Sequence, residues 1–157
     1  MRNTSWKTQG LWDERLIAPL EITTSALRFS NGRVACATCH RIGNEGGQIG
    51  PDLTRIGAIR AGRDIVESIV FPSSTIAQGY ESYIVTTKDG RSVTGVITRR
   101  AGDVLVLRDS SGAELRLQKA QVEAMSRSTI SLMPEGLDKA MTRDEFRDLL
   151  AFLQSLK

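Results

Sequence analysis

Apolar positions recur at helical spacing in two stretches of the chain. In "RAGRDIVESIVFP", the four aliphatic residues share one face, which predicts a helix from about Ala61 to Val70 that Pro72 ends. Near the C-terminus, Thr142 and Glu145 form a capping-box pattern that predicts the start of another helix. Five apolar side chains at three- and four-residue spacing are expected on its buried face: Phe146, Leu149, Leu150, Leu153 and Leu156.

Between these helices the pattern changes to alternation, which is typical of strands. Five segments predict strands on this basis: 80–87, 91–98, 103–109, 113–118 and Gln121–Ala124. Asp89-Gly90 and the "SSG" at 110–112 indicate hairpin turns, and Gly95 indicates a bulge or a sharp bend. Five short strands of this kind predict a small barrel.

The same patterns divide the chain into three parts. Residues 1–22 are interpreted as an irregular N-terminal extension. Residues 23–79 and 125–157 are predicted to form one helical domain, which includes a short helix at about Thr24–Phe29. Residues 80–124 are predicted to be an inserted five-stranded β-barrel. The expected fold class is therefore α+β.

Composition and charge exclude several function classes. The chain has 157 residues and a net charge of +3, with a charged fraction normal for a globular protein. No apolar run approaches the length of about 18 residues that a membrane span needs, and the first twenty residues lack the apolar core of a signal peptide. Residues 88–119 carry no aromatic side chain that could stack on a base, so nucleic acid is not an expected partner.

Both cysteines and the only histidine lie in "VACATCHRIG". Cys36, Cys39 and His40 have the spacing of c-type haem attachment, in which two thiols add to the haem vinyl groups and the following imidazole faces the iron. A thioredoxin-like dithiol is disfavoured because no strand precedes the motif and glycines interrupt any long helix after it. A structural zinc site is disfavoured because no fourth cysteine or histidine remains. The motif therefore predicts one covalent haem c.

The second axial ligand of such an iron is expected to be Met133. The chain has no second histidine, and imidazole with thioether is the usual pairing in cytochromes c. Pro134 fixes an extended loop next to Met133. Met125, at a strand end, and Met141, beside the helix cap, are expected to pack in the core.

The segment "GPDLT" (50–54) is expected to orient the His40 imidazole. Imidazoles that bind metals commonly donate their other N–H to a carbonyl, and Pro51 is the candidate for that carbonyl. Leu53 is the candidate to pack on the haem ring. Without a haem, the same residues predict only a Gly-Pro turn. The expected cofactor-binding residues are Cys36, Cys39, His40, Pro51, Leu53 and Met133, of which His40 and Met133 are the metal ligands.

These motifs resemble the class I c-type cytochromes. "CATCH", "GPDLT", "MPEGL" and a terminal "DLLAFLQSL" follow in that family's order, and the closer resemblance is to the haem-binding domain of planctomycete and verrucomicrobial proteins. The resemblance covers about Ala26–Leu156. It implies a cytochrome c-like helical haem domain, with the β-barrel inserted between its third helix and the loop of the Met ligand. The inserted segment itself looks like an Sm-like barrel.

The expected function is one-electron transfer by a His/Met-ligated haem c, without enzymatic activity of its own. The alternatives are a haem-based gas sensor or peroxidase in which Met133 is displaced, and an interaction module that uses the β segment. The expected partner is a dehydrogenase or a terminal oxidase, either as a separate protein or fused with this domain in a larger parent chain. Haem attachment indicates a periplasmic or otherwise exported protein whose signal peptide is missing from this sequence. The oligomeric state stays open, and exposed strand edges permit a strand-exchanged dimer.

Overall fold

The computed structural model describes residues 34–157, so the predicted N-terminal extension and the helix at Thr24–Phe29 lie outside the described residues. The elements, in chain order, are β1 (Arg41–Ile42), β2 (Glu45–Gly46), α1 (Ile56–Ile59), α2 (Gly62–Val70), β3 (Ser82–Thr87), β4 (Ser92–Ala101), β5 (Val104–Arg108), β6 (Glu114–Gln118), β7 (Val122–Arg127) and α3 (Arg143–Ser155). Single 3-10 turns lie at Cys36–Thr38, Lys119–Gln121 and Asp138–Ala140.

Both long helices follow the sequence pattern. The capping box at the start of α3 is confirmed: the Thr142 side chain accepts from the backbone N–H of Glu145, and the Glu145 side chain accepts from the backbone N–H of Thr142. The apolar faces of α2 and α3 meet in one cluster, because neither helix buries its apolar stripe alone. The buried members of this helical core are Ile65, Val66, Ile69, Phe146, Leu149, Leu150, Phe152 and Leu153.

The backbone of the short helix α1 lies directly against the backbone at the end of α3. A Cβ atom on Gly57 would lie 2.3 Å from the carbonyl oxygen of Gln154, so only glycine fits there. The Gly57 N–H donates to the carbonyl oxygen of Leu156 at 2.8 Å. This contact fixes the end of the chain beside the segment that leads into α2. None of the helices within residues 34–157 is both long and apolar enough to cross a membrane.

The five predicted strands are present and form one antiparallel sheet in the order β6-β5-β4-β3-β7. Gly90 and Gly112 take positive φ angles of 82° and 86° in the two predicted turns. The bulge expected at Gly95 lies further along β4, where the register with β5 shifts between Ile97 and Arg99. Gly95 instead permits a close approach, since a Cβ atom there would lie 2.6 Å from the carbonyl oxygen of Arg108.

The predicted fold class is wrong. More of the described chain lies in strands than in α-helices, so residues 34–157 are not a helical cytochrome domain with a barrel inserted in it. The sheet also does not close: within the described residues, β6 pairs only with β5 and β7 pairs only with β3. β6 and β7 follow each other along the chain through the 3-10 turn at Lys119–Gln121, but β7 takes its ladder partner from β3, so within residues 34–157 the two strands remain the unpaired edges of the sheet. The predicted domain boundary at residue 124 falls within β7.

The two faces of the five-stranded sheet have different surroundings. One face buries a second core, formed by Val85, Leu105, Leu107 and Leu117. The other face contacts the segment that follows the cysteine–histidine motif: the Arg108 guanidinium donates to the carbonyl oxygen of Gln48 at 3.2 Å. The sheet therefore serves as a platform beside that segment as well as a core of its own.

Candidate functional site

The cysteine–histidine motif folds as a single tight turn. Ala35 takes a left-handed conformation (φ 37°), and Cys36–Thr38 form one 3-10 turn. The backbone N–H groups of Cys39 and His40 both donate to the carbonyl oxygen of Cys36, at 3.1 and 2.9 Å. The turn thus places two thiols and one imidazole at the wall of a single cleft.

This cleft has a volume of about 610 Å³, within the range of pockets that hold small molecules and cofactors. Its walls come from the cysteine–histidine turn, from α2 and α3, and from residues 131–137. All six residues that the sequence analysis selects line it: Cys36, Cys39, His40, Pro51, Leu53 and Met133. The fold therefore brings together residues up to 97 positions apart in the sequence, from Cys36 to Met133.

The His40 imidazole is held by one hydrogen bond. Its Nδ1 lies 2.8 Å from the carbonyl oxygen of Pro51, and because a carbonyl only accepts, the proton is on Nδ1. Nε2 is then the unprotonated nitrogen, with a lone pair that a metal ion can take. Burial lowers the pKa of His40 below its usual value, while the hydrogen bond to Pro51 opposes that shift. The neutral imidazole, which is the ligand form, is therefore favoured.

A polar network fixes residues 47–54, which we call the Pro51 loop. Arg41 forms an ion pair with Asp52 at 2.6 Å, and the backbone N–H of Leu53 donates to the carbonyl oxygen of Arg41 at 2.8 Å. Thr54 donates to the Asp52 carboxylate from both its N–H and its hydroxyl, and its hydroxyl oxygen accepts from the N–H of Gly43. The carbonyl of Pro51 is thus fixed by bonds made by its neighbours.

Two glycines of the Pro51 loop lie against the motif. A Cβ atom on Gly50 would lie 2.5 Å from Cε1 of His40, and one on Gly47 would lie 2.0 Å from the carbonyl oxygen of Thr38. Both distances are too short for any side chain. Sequence reasoning missed Arg41, Asp52 and Thr54 as supports of the site. The abundance of glycine in "GNEGGQIGPD" was the one indication of a close approach.

Neither cysteine is in a disulfide, and both are half-buried. Burial raises the pKa of the Cys36 thiol and that of the Cys39 thiol, so both are protonated at neutral pH. Within residues 34–157, no group of three His, Cys, Asp or Glu side chains has the arrangement of a metal site.

Met133 reaches the cleft from the loop that precedes α3. Its backbone N–H donates to the Ser131 hydroxyl at 3.1 Å, and the Ser131 N–H donates to the Ser73 hydroxyl at 3.2 Å. Of the other methionines, Met141 packs against the helical core as expected. The prediction of a core position for Met125 is wrong, because it lies on β7 and is 42% exposed.

The donor set of the cleft fits a haem c. A porphyrin supplies four nitrogen ligands itself, so the protein needs to supply only axial ligands, and the cleft offers one imidazole nitrogen and one thioether. The two cysteines on the adjoining turn are free rather than joined in a disulfide, as attachment to vinyl groups requires, and Gly50 leaves the imidazole room to face the cleft. Neither a family model nor a curated protein matches this chain.

The Gly50→Ala substitution is expected to displace the His40 ring, because the added methyl group would overlap it. Overpacking of this kind costs about 1–3 kcal/mol of the free energy of unfolding. Since His40 is the only histidine, its NMR signals report its position without ambiguity. The Gly79→Ala variant is the control: Gly79 has a positive φ of 86° and no atom near its Cβ position, so it adds only backbone strain. Unchanged His40 signals in Gly50→Ala would contradict the geometry.

The Asp52 network predicts a pH dependence of stability. Hydrogen bonds from Thr54, together with Arg41, lower the pKa of Asp52 to about 2. In the unfolded chain the pKa of an aspartate is about 3.9. The stabilisation is therefore complete above the unfolded value and is lost as the pH falls through about 2. In denaturant unfolding, the wild type should exceed Asp52→Asn in stability at neutral pH, and the gap should close in acid.

A second variant tests the cause of that low pKa. Thr54→Val should raise the pKa of Asp52 toward its ordinary value in an NMR titration, because it removes the hydroxyl donor. The exposed Thr98, on β4, gives the control Thr98→Val, which should leave the pKa of Asp52 where it is. For the Asp52→Asn comparison, a difference from the wild type in the free energy of unfolding that grows as the pH falls would contradict this account of the network.

Proposed function

We propose that this chain is a c-type haem protein that transfers single electrons. The observation that carries the proposal is the His40 imidazole, fixed through Nδ1 to Pro51, in a cleft that also has both cysteines and Met133 on its wall. A lone imidazole with its second nitrogen directed by a backbone carbonyl is the arrangement of a metal-binding histidine. The thiols of Cys36 and Cys39 are not joined in a disulfide, so both are available for attachment.

In this proposal each of the four residues has one task. The thiols of Cys36 and Cys39 would attach the haem through its two vinyl groups, each sulfur bonding to one vinyl carbon while its proton passes to the neighbouring carbon. His40, through Nε2, and Met133, through its sulfur, are the residues that would hold the iron, and both line the cleft. Once bound, the haem supplies a redox centre that cycles between the ferrous and ferric states.

The surroundings of the cleft suit an electron carrier. Apolar side chains from α2 and α3, among them Ile65, Ile69, Leu149 and Leu153, line it. The thioether of Met133, with His40, favours the ferrous state relative to ligation by two nitrogens. Ligands that are held in place also keep the change of geometry between the two redox states small. His40 is held by its hydrogen bond to Pro51, and the backbone of Met133 is held by its hydrogen bond to Ser131.

The partner in this proposal is a redox protein, either a dehydrogenase that donates electrons or an oxidase that accepts them. Ile59 lines the cleft and is 69% exposed, so the cleft has an apolar rim at the surface where a partner can approach. Contacts between electron-transfer proteins are small and short-lived, as such a rim permits. Since haem c is attached outside the cytoplasmic membrane in bacteria, the proposal places the protein in the periplasm or beyond it.

Covalent attachment is tested by intact mass after expression in a host that matures c-type cytochromes. The wild type should exceed the mass of its polypeptide, 17.2 kDa, by one haem. The double variant Cys36→Ala/Cys39→Ala should have the bare mass. Thr38→Ala, between the two cysteines and exposed, is the control that should keep the haem. A bare wild-type mass, or a colourless preparation that contains zinc, would overturn the proposal.

The role of Met133 is tested by ferric spectra of the holoprotein. The wild type should show the far-red charge-transfer band of a sulfur–iron bond, and Met133→Ala should lose it and become high-spin. Met125→Ala, which removes an exposed methionine from β7, should keep the band. A high-spin wild-type spectrum at neutral pH would contradict the ligand assignment and favour an open iron site.

A further inference from the structure

A second cavity lies where the sheet meets the Pro51 loop. It has a volume of about 540 Å³ and is lined by β4, β5 and β6 on one side and by residues 47–52 on the other. Its charged side chains are Arg41, Asp52, Arg99, Arg108, Glu114 and Arg116. We call this cavity the arginine recess. It is separate from the cleft of the cysteines, although Gly50, Asp52 and Tyr80 line both.

The strand register places three of these arginines on one face of the sheet. Val106 on β5 lies between Arg99 on β4 and Arg116 on β6. Two residues further along β5, Arg108 lies between Val96 and Glu114, and therefore on the same face. The alternate residues of β5, Leu105 and Leu107, belong to the core on the other face. The positive face is thus set by the register of three strands.

The carboxylates of the recess do not balance its arginines. Glu114 contacts Arg108 at 2.6 Å and Arg116 at 4.0 Å, and the field of Arg99 acts on it as well. Within the described residues, Arg99 forms no ion pair with a carboxylate, so Glu114 is one negative charge shared by three positive ones. Asp52 is bound to Arg41.

Four guanidinium groups thus face two carboxylates, which leaves an excess of two positive charges in a concave site. These like charges repel one another, and water screens part of that repulsion because the side chain of Arg116 is 74% exposed. An anion relieves that repulsion and gains charge-assisted hydrogen bonds from planar guanidinium groups, which match the geometry of phosphate and carboxylate oxygens.

We propose that the arginine recess binds a small ligand that carries a phosphate group or several carboxylates, with Arg99 and Arg116 as its principal contacts. Arg108 is already engaged by Glu114 and Gln48, so it forms the floor of the site rather than a free contact. The volume of the recess exceeds the needs of a single inorganic ion and admits a small organic anion. The proposal does not depend on the haem, because none of the four arginines lines the cleft that contains the two cysteines and His40.

The test is calorimetric titration of the purified full chain with inorganic phosphate and with citrate, at constant ionic strength set by sodium chloride. We expect saturable binding of at least one probe, and a rise of the thermal midpoint in its presence. Arg99→Gln and Arg116→Gln should each weaken binding about tenfold, the loss of one hydrogen bond to a charged group.

Arg100→Gln is the matched control. Arg100 is next to Arg99 on β4 but lies opposite Leu105, with its guanidinium over the ring of Tyr83 on the other face. This variant has the same change in net charge and should bind the probe as the wild type does. Failure of both probes to bind overturns the proposal. Equal weakening by Arg99→Gln and Arg100→Gln also overturns it, since that result means non-specific attraction to a basic chain.

Discussion

The hydrogen bond from His40 Nδ1 to the carbonyl oxygen of Pro51 is the constraint around which the site is built. It joins two residues that are 11 positions apart, and the chain between them has to turn back on the motif. That return requires glycine at positions 47 and 50, where a side chain would overlap the motif itself. Arg41 and Asp52 then lock the two segments together from outside. A backbone carbonyl, fixed in this way, decides which nitrogen of the imidazole faces the cleft.

The sheet explains how Met133 comes to lie at the cleft that holds His40. Strands β3 and β7 pair antiparallel, so the chain enters and leaves the sheet at the same end. Ser82, which is fully buried at the start of β3, donates its hydroxyl proton to the carbonyl oxygen of Ile130 at 2.6 Å. A few residues further out, the N–H of Ser131 donates to the hydroxyl of Ser73. These two bonds join the connections into and out of the sheet, and both connections line the cleft.

Local chemistry was predictable from the sequence, whereas long-range arrangement was not. The turn at Asp89-Gly90 and the capping box at Thr142 depend on a few adjacent residues, and they appear in the structure as expected. Closure of the sheet depends on whether β6 pairs with β7, which no local pattern specifies; within the described residues β7 pairs with β3 and not with β6. The arginine recess was not predictable for the same reason, since Arg99 and Arg116 become neighbours only through their common partner in β5.

The Pro51 loop separates two cavities of opposite chemistry, and adjacent residues serve each of them. The carbonyl of Pro51 accepts from His40 at the apolar cleft, while the carboxylate of the next residue, Asp52, accepts from Arg41 at the arginine recess. A main-chain acceptor suits the first position because it cannot be protonated, so the imidazole keeps its orientation at any pH at which the loop is folded. A side-chain acceptor suits the second, because a full negative charge holds a guanidinium more strongly than a carbonyl dipole does. The Pro51 loop thus orients the neutral imidazole of His40 on one side and holds the guanidinium of Arg41 on the other, and the two contacts use different groups of the loop.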